Sequence, residues 1–355
     1  MKNLKFALIG CGRISKRHAE LLSNNQIAGA ELVAVCDVKE NRARAAGELY
    51  QVPFFTDMHE MMTKVDTDIV TILTPSGMHA KHTIELAKYK KHIVVEKPMA
   101  LTLSDADQMI AACKAQNIHL FVVKQNRFNY PVVKLREEFN QGRFGKLVLG
   151  TVRVRWCRDQ KYYDQDSWRG TWAQDGGVFT NQASHHVDLL QWMMGDVQSV
   201  FAKSDTFLVK TETEDTGVAV ITFKSGALGI IEATTAARPS DLEGSLSLLG
   251  DGGTVEIGGF AVNEIKNWKF SQTTQEDQNV IKNYSVNPPN VYGFGHKAYL
   301  EHVVRVITKN EATLVTGIEG RKSLELITAI YESIESKAEV HFPFQPKLCR
   351  LGNVR

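Results

Sequence analysis

Two short motifs hold the residue types most able to do chemistry. Glu96-Lys97-Pro98 follows the apolar run His92–Val95. A lysine beside a glutamate at a strand exit is most often a surface pair. The proline changes that reading, because it pushes Lys97 out of the α region and gives the ammonium one direction. The second motif is Gly176-Gly177-Val178-Phe179-Thr180-Asn181-Gln182-Ala183-Ser184-His185, which sets an imidazole at the start of a helical segment. Oxidising a secondary alcohol needs a base for the hydroxyl proton and a hydride acceptor near the alcohol carbon. A free lysine, with a pKa of about 10.4, holds its proton too tightly for this at neutral pH; burial and a neighbouring positive charge loosen it. Histidine starts in the right range. On the residues alone, His185 also reads as an ordinary helix-face histidine beside His186.

A hydride acceptor needs a site of its own. Gly10-Cys11-Gly12-Arg13-Ile14-Ser15 follows the first apolar run and opens a helix. Gly10 permits the tight turn, and Gly12 lets a pyrophosphate approach the backbone at a positive helix end. Ser15 stands where a third glycine or alanine is usual. Asp37 ends the next apolar run, near the spacing of about 20 residues expected of a ribose-binding carboxylate. Such a group accepts from the 2′-hydroxyl and repels a 2′-phosphate, which favours NAD over NADP; Lys39 and Arg42 nearby pull the other way. Thr74-Pro75-Ser76 lies at the carboxyl end of the run 68–73, where loops line a cofactor crevice. An anionic substrate needs cations, and Arg153, Arg155, Arg158, Lys161 and Arg169 are interleaved with Tyr162, Tyr163, Trp168 and Trp172. Arginine forks suit carboxylates and phosphates. The same pattern also fits a solvated strand face with an aromatic rim.

The elements that must position these groups are legible as a pattern. Short runs at 6–9, 31–36, 68–73, 92–95 and 119–123 are apolar on both faces, as in central parallel strands. Helical patterns at 41–50, 79–89 and 104–116 separate them, the last with Ser104 as its expected cap. This predicts a doubly wound α/β domain over 1–125. From Leu147 the texture turns to extended runs (147–155, 197–202, 218–223, 227–233, 245–249) with helices at 184–194 and 317–336. That predicts an α/β second domain, 126–355, on a large, mostly antiparallel sheet with one solvated or subunit-covered face; the last helices are free to pack back on the first domain.

Composition bounds the rest. The chain has 355 residues, 43% hydrophobic and 23% charged, which excludes disordered and disulfide-scaffold classes. Lys+Arg is 42 against Asp+Glu 40, so no global basic field calls for nucleic acid. Five widely spaced cysteines without a C-x-x-C read as reduced thiols of a cytoplasmic protein. No apolar stretch is long enough for a signal peptide or membrane span. No metal is expected, because neither His79 with His82 nor His185, His186 and Asp188 has a standard zinc spacing.

Taken together, the glycine turn, Thr-Pro-Ser, Glu-Lys-Pro and the Gly-Gly…His segment resemble the Gfo/Idh/MocA family of sugar-type dehydrogenases, over essentially the whole chain. The resemblance implies an N-terminal Rossmann domain and a C-terminal α/β domain. It implies that Lys97 touches the substrate hydroxyl and the nicotinamide ribose, with His185 as its catalytic partner. Asn181 stands where the family carries aspartate, so a charged Asp–His relay is not implied here. The NAD contacts expected are Gly10, Gly12, Arg13, Ile14 and Asp37, then Thr74, Pro75, Ser76, His79, Glu96 and Lys97, with Gln125, Trp168 and Arg169 from the second domain. Substrate contacts are expected from Lys97, Arg127, Arg155, Arg158, Tyr163, Asn181 and His185.

Finer stretches resemble one branch of the family, the UDP-2-acetamido-2-deoxyglucuronate (UDP-GlcNAcA) 3-dehydrogenases of bacterial O-antigen synthesis. These are Lys124-Gln125-Asn126-Arg127-Phe128-Asn129, Arg153-Val154-Arg155-Trp156-Cys157-Arg158-Asp159, Tyr162-Tyr163, Trp168-Arg169-Gly170-Thr171-Trp172 and Asn181-Gln182-Ala183-Ser184-His185-His186-Val187-Asp188. The branch implies oxidation of the sugar's 3-hydroxyl to a ketone, with tightly held NAD that some members recycle by reducing 2-oxoglutarate. It also implies a homotetramer. The rival readings are a dehydrogenase of a free sugar or inositol, and a NAD-binding regulator without catalysis.

Overall fold

The computed structural model describes residues 3–286 and 293–353. They divide into two compact units, Met1–Lys124 with His296–Arg321, and Gln125–Gly295 with Lys322–Arg355.

The first unit opens β1 (Leu4–Ile9), α1 (Arg13–Ser23), β2 (Ala30–Cys36), α2 (Glu40–Tyr50), β3 (Phe54–Phe55), α3 (Met58–Lys64), β4 (Ile69–Ile72), α4 (His79–Ala87), β5 (His92–Val95), α5 (Leu103–Ala115) and β6 (Leu120–Val122). Its six strands are all parallel, in the order β3-β2-β1-β4-β5-β6. Every residue of β4 is buried, as central strands covered on both faces require. The order reverses direction between β1 and β4, and a ligand crevice forms at the carboxyl ends on either side of such a point. This is the doubly wound sheet that the apolar runs predicted. The edge strand β3 escaped the pattern because it is only two residues long. The cap of α5 also differs from expectation. Thr102, not Ser104, caps it, its hydroxyl accepting from the Asp105 N–H at 3.1 Å. The segment His296–Arg321 lies with this unit. The Val122 N–H donates to the Val315 carbonyl at 2.9 Å, and Arg321 bridges Asp107 at 2.5 Å.

The second unit comprises α6 (Tyr130–Asn140), β7 (Leu147–Arg155), α7 (Gln160–Tyr163), α8 (Ser184–Met194), β8 (Val197–Asp205), β9 (Thr216–Phe223), β10 (Leu228–Thr234), β11 (Glu243–Gly250), β12 (Gly253–Gly258), β13 (Glu264–Phe270) and α9 (Val280–Tyr284). After α10 (Gly295–Lys309) come α11 (Gly317–Ser336) and β14 (Val340–His341). Eight strands form one sheet, β13-β12-β11-β7-β10-β9-β8-β14, antiparallel throughout except for β7 beside β10. Val152 and Val154 of β7 are buried on the face that α8 covers. Gly150 makes that approach possible: a Cβ there would meet the Met194 sulfur at 2.7 Å and a Leu190 methyl at 2.8 Å. Arg153 and Arg155 take the other face, since successive strand residues alternate. Among the described residues, no helix is long and apolar enough to cross a membrane.

Candidate active site

In the first unit the turn after β1 is built for close approach. Gly10 has φ +97°, and a Cβ on it would stand 2.7 Å from the Leu73 carbonyl oxygen. Only glycine fits between β1 and the exit of β4. Gly12 caps α1 without any side-chain bond, and nothing lies within 4 Å of where its Cβ would be. The amide end of an 11-residue helix is thus left bare, which suits a diphosphate. Asp37 Oδ2 accepts the Cys11 N–H and Oδ1 accepts the Lys39 N–H, each at 2.8 Å. The carboxylate therefore shapes the glycine turn and keeps lone pairs for ribose hydroxyls. Arg13 is exposed and Ile14 half-buried at the same helix start. These residues fit a dinucleotide.

The loop Thr74-Pro75-Ser76 follows β4, and Ser76 opens a short 3₁₀ turn. His79, expected among the cofactor contacts, is buried and engaged elsewhere. Its Nδ1 lies 2.8 Å from the Pro98 carbonyl oxygen and its Nε2 2.8 Å from that of Thr74. Burial pushes its pKa down, against the pull of those two carbonyls. It ties the two loops together at the carboxyl end of the sheet. Lys97 is half-exposed after β5, and its peptide bond to Pro98 is cis. Glu96 is buried, its Oε2 accepting the Lys97 N–H at 3.0 Å. His18, Glu96 and His296 bring three potential metal-ligand atoms within 4.8 Å of one another.

In the second unit, Gly176 has φ +84° and begins the segment leading to His185. One π-helical turn, Val178–Gln182, then joins directly to α8. Glu214 supports it: Oε1 accepts the Phe179 N–H (3.2 Å) and the Tyr331 hydroxyl (2.8 Å). The Tyr331 oxygen in turn accepts from the Gly177 N–H and the Thr180 hydroxyl. A Cβ on Gly177 would collide with Glu214, so this glycine serves the contact, while one on Gly176 would meet Thr180 and Leu351. His185 is 8% exposed in the first turn of α8, its Nε2 2.8 Å from Gln125 Nε2. Gln125, expected near the cofactor, is thus a partner of the candidate catalytic histidine. Asn181 donates its amide to Asp175, a buried carboxylate that also accepts the Gly170 N–H at 2.8 Å. His186 is a core residue, its pKa pushed to about 4 by burial.

The expected cations fall into two groups. Arg158 and Arg169 share one aromatic cluster. Arg169 lies 4.6 Å over the rings of both Tyr162 and Trp168 and donates to the Tyr162 hydroxyl at 2.8 Å. Arg158 lies over Trp156 and Tyr162 and pairs with Asp241 at 2.9 Å. Gln182 donates to the same Tyr162 hydroxyl at 3.0 Å and to the Asn181 oxygen, joining the cluster to the π turn. Tyr162, not the expected Tyr163, is the hub; Tyr163 bonds Thr235 at 3.2 Å, and burial pushes its hydroxyl up to about 12.

Two arginines are not brought there. Arg127 forks both oxygens of Asp188 at 2.8 Å, almost wholly buried over Trp192, as a core ion pair. Arg155 lies on the sheet face opposite α8, held by Glu232 at 2.6 Å and Glu243 at 3.0 Å. Strand alternation explains that placement.

Asp175 and Glu214 were not singled out from sequence. Asp175 had a signal, standing just before the paired glycines in a motif that lacks its usual carboxylate. Glu214 had none.

Comparison with known proteins bears on this arrangement. The model described as an oxidoreductase family's NAD-binding Rossmann fold (GFO_IDH_MocA) matches residues 4–124, and that of the family's C-terminal alpha/beta domain matches 136–342. Among solved structures, the WlbA dehydrogenase of Bordetella pertussis in complex with NADH and UDP-GlcNAcA is 41% identical, covering 97% of this chain and 99% of its own, with a TM-score of 0.93. The Chromobacterium violaceum WlbA dehydrogenase, with the same two ligands, is 40% identical over 97% of both chains, with a TM-score of 0.91. Myo-inositol 2-dehydrogenase of Thermotoga maritima is 30% identical over 95% of this chain and 98% of its own.

Proposed function

Because the chain belongs to the Gfo/Idh/MocA oxidoreductase family, we propose that it oxidises the 3-hydroxyl of UDP-GlcNAcA to a ketone, in bacterial O-antigen synthesis. Family membership makes it a NAD-dependent oxidoreductase of sugar CH–OH groups; the sugar nucleotide and its position 3 are the finer step. The carrying observation is 41% identity across 97% of the chain to a dehydrogenase solved with NADH and UDP-GlcNAcA. The Arg158–Tyr162–Arg169 cluster supports it, since a uronate diphosphate needs guanidinium forks beside stacking surfaces.

When bound, NAD supplies the hydride acceptor. The bare start of α1 receives its diphosphate, and Asp37 takes its ribose hydroxyls. Lys97 and His185 hold and remove the hydroxyl proton. Gln125 orients His185, and Trp168 with Arg169 packs near the reacting end. Arg158, Tyr162 and Asn181 bind the substrate; Arg127 and Arg155 do not. We assign the protein to the cytoplasm, as a homotetramer.

A free polyol is the competing substrate, favoured by the 30% identity to myo-inositol 2-dehydrogenase. A panel of UDP-GlcNAcA, UDP-GlcNAc and myo-inositol, followed by absorbance of reduced cofactor, separates the two. We expect reduction with the uronate nucleotide alone. Reduction by inositol and none by UDP-GlcNAcA would refute the proposal.

A further inference from the structure

Glu96 and two histidines form a closed trio within the first unit. Glu96 Oε1 lies 3.1 Å from His18 Nε2 and 3.9 Å from His296 Nε2. The rings of His18 and His296 meet edge to face, with centroids 5.5 Å apart. All three residues are buried, His18 completely. Burial pushes the Glu96 pKa up, but the hydrogen bond from His18, then the charges of His18, His296 and Lys97, outweigh it and bring the carboxyl down to about 2. A buried carboxylate facing His18 Nε2 calls for an N–H on that nitrogen. Nδ1 of the same ring is buried with no hydrogen-bond partner, so the ring's one polar contact is the one to Glu96. Two other titratable groups feel Glu96. Tyr299, from α10, has its hydroxyl pushed well up by burial and by this carboxylate, and His79, from α4, is pushed down by burial against the pull of two carbonyls and Glu96. The trio could ligate a metal, but 3.1 Å is a direct hydrogen-bond length and Oε2 already accepts a backbone N–H.

We propose that His18, walled in by His296, is a positioning residue: it pins the Glu96 carboxylate against the backbone of Lys97, and the carboxylate sets where the Lys97 ammonium sits and how tightly it keeps its proton. This rests on the reading of Lys97 as the group that meets the substrate hydroxyl. The attraction between carboxylate and ammonium is mutual, so an anion held beside Lys97 favours its charged form. Binding of the positively charged nicotinamide works against that and favours proton release. A carboxylate locked by His18 therefore poises Lys97 between the two.

Lys97 is half-exposed, so its amine can be labelled without any turnover. The test is the pH dependence of its acylation by acetic anhydride, read by mass spectrometry on the peptide carrying it. E96Q should lower the midpoint by about one pH unit or more. H18F should lower it in the same direction, and H18Q, whose amide keeps an N–H toward Glu96, should restore it. H18F should add nothing in the E96Q background. In the active enzyme, the acidic limb of the kcat profile should move with the labelling midpoint. If H18F does not fold, E96Q against H18Q decides, and an E96Q midpoint equal to wild type overturns the proposal. So does an H18F shift as large in E96Q as in wild type, or one transition-metal ion per chain that is lost from H18F. A wild-type enzyme that oxidises no sugar refutes the proposed function, while the labelling curves still decide this inference.

Discussion

Asn181 stands where the family resemblance implies an aspartate. Asp175 presents a buried carboxylate to the Asn181 amide. The amide can donate to Asp175 and offer its oxygen to Gln182, which a carboxylate could not do beside another carboxylate. N181D should therefore destabilise the protein: a half-buried carboxylate against the buried one of Asp175 sets like charges in contact, which oppose each other's ionisation. We expect a melting temperature lowered by several degrees at pH 8 and restored toward wild type near pH 5. At the reacting groups, K97A and H185A should each lower kcat by about 10²- to 10⁴-fold, the usual weight of a positioned acid or base, with NAD binding retained. Titrating NAD into each variant by intrinsic fluorescence checks that the loss is chemical. Of the site, the lysine, the histidine and the glycine turn were legible because each sits in a short motif with a mechanical reason. The partner of Arg127 was not legible, because a buried guanidinium and a ligand-binding one look alike in sequence until Asp188 is seen across from it.

At the scale of the element, the π turn Val178–Gln182 stands on Glu214. Burial raises the Glu214 carboxyl to about 7, outweighing the bonds from Tyr331 and Phe179 that favour its charge. Its Oε2 is buried without a partner. In the unfolded chain the group titrates at its ordinary value of 4.5, so the folded state binds the extra proton between the two. Stability is then full below about pH 4.5 and falls as pH rises through about 7. The loss is on the order of 3 kcal/mol. E214Q keeps the neutral shape, so its melting temperature should exceed wild type at pH 8 and lose that advantage at pH 5. A wild-type melting curve independent of pH across this range would show that Glu214 stays ionised. No motif pointed to Glu214, because its role depends on a contact with Tyr331 more than a hundred residues away.

For the molecule as a whole, the strand-and-helix pattern was the most legible feature. Periodicity is local, and the parallel core strands announce themselves as short runs apolar on both faces. What sequence could not say is which face of the second sheet stays uncovered. In the structure, Phe201, Val220 and Ile230 stand directly opposite one another across β8, β9 and β10, all exposed on the face away from α8, with Val218 beside them. An apolar row of this kind suits the subunit contact of the homotetramer proposed above. On that proposal V220K should dissociate the tetramer, read as a drop in sedimentation coefficient, without loss of NAD binding. A variant that sediments as wild type would move the contact elsewhere.

The central claim, hydride transfer from carbon 3 of UDP-GlcNAcA to NAD, is tested most directly with substrate deuterated at that carbon. Mass spectrometry after one turnover should show the label in the reduced ring and the sugar lighter by one deuterium, lost to the nicotinamide, and one proton, lost from its hydroxyl. Reduced cofactor free of deuterium, or no reduction at all, would contradict the account.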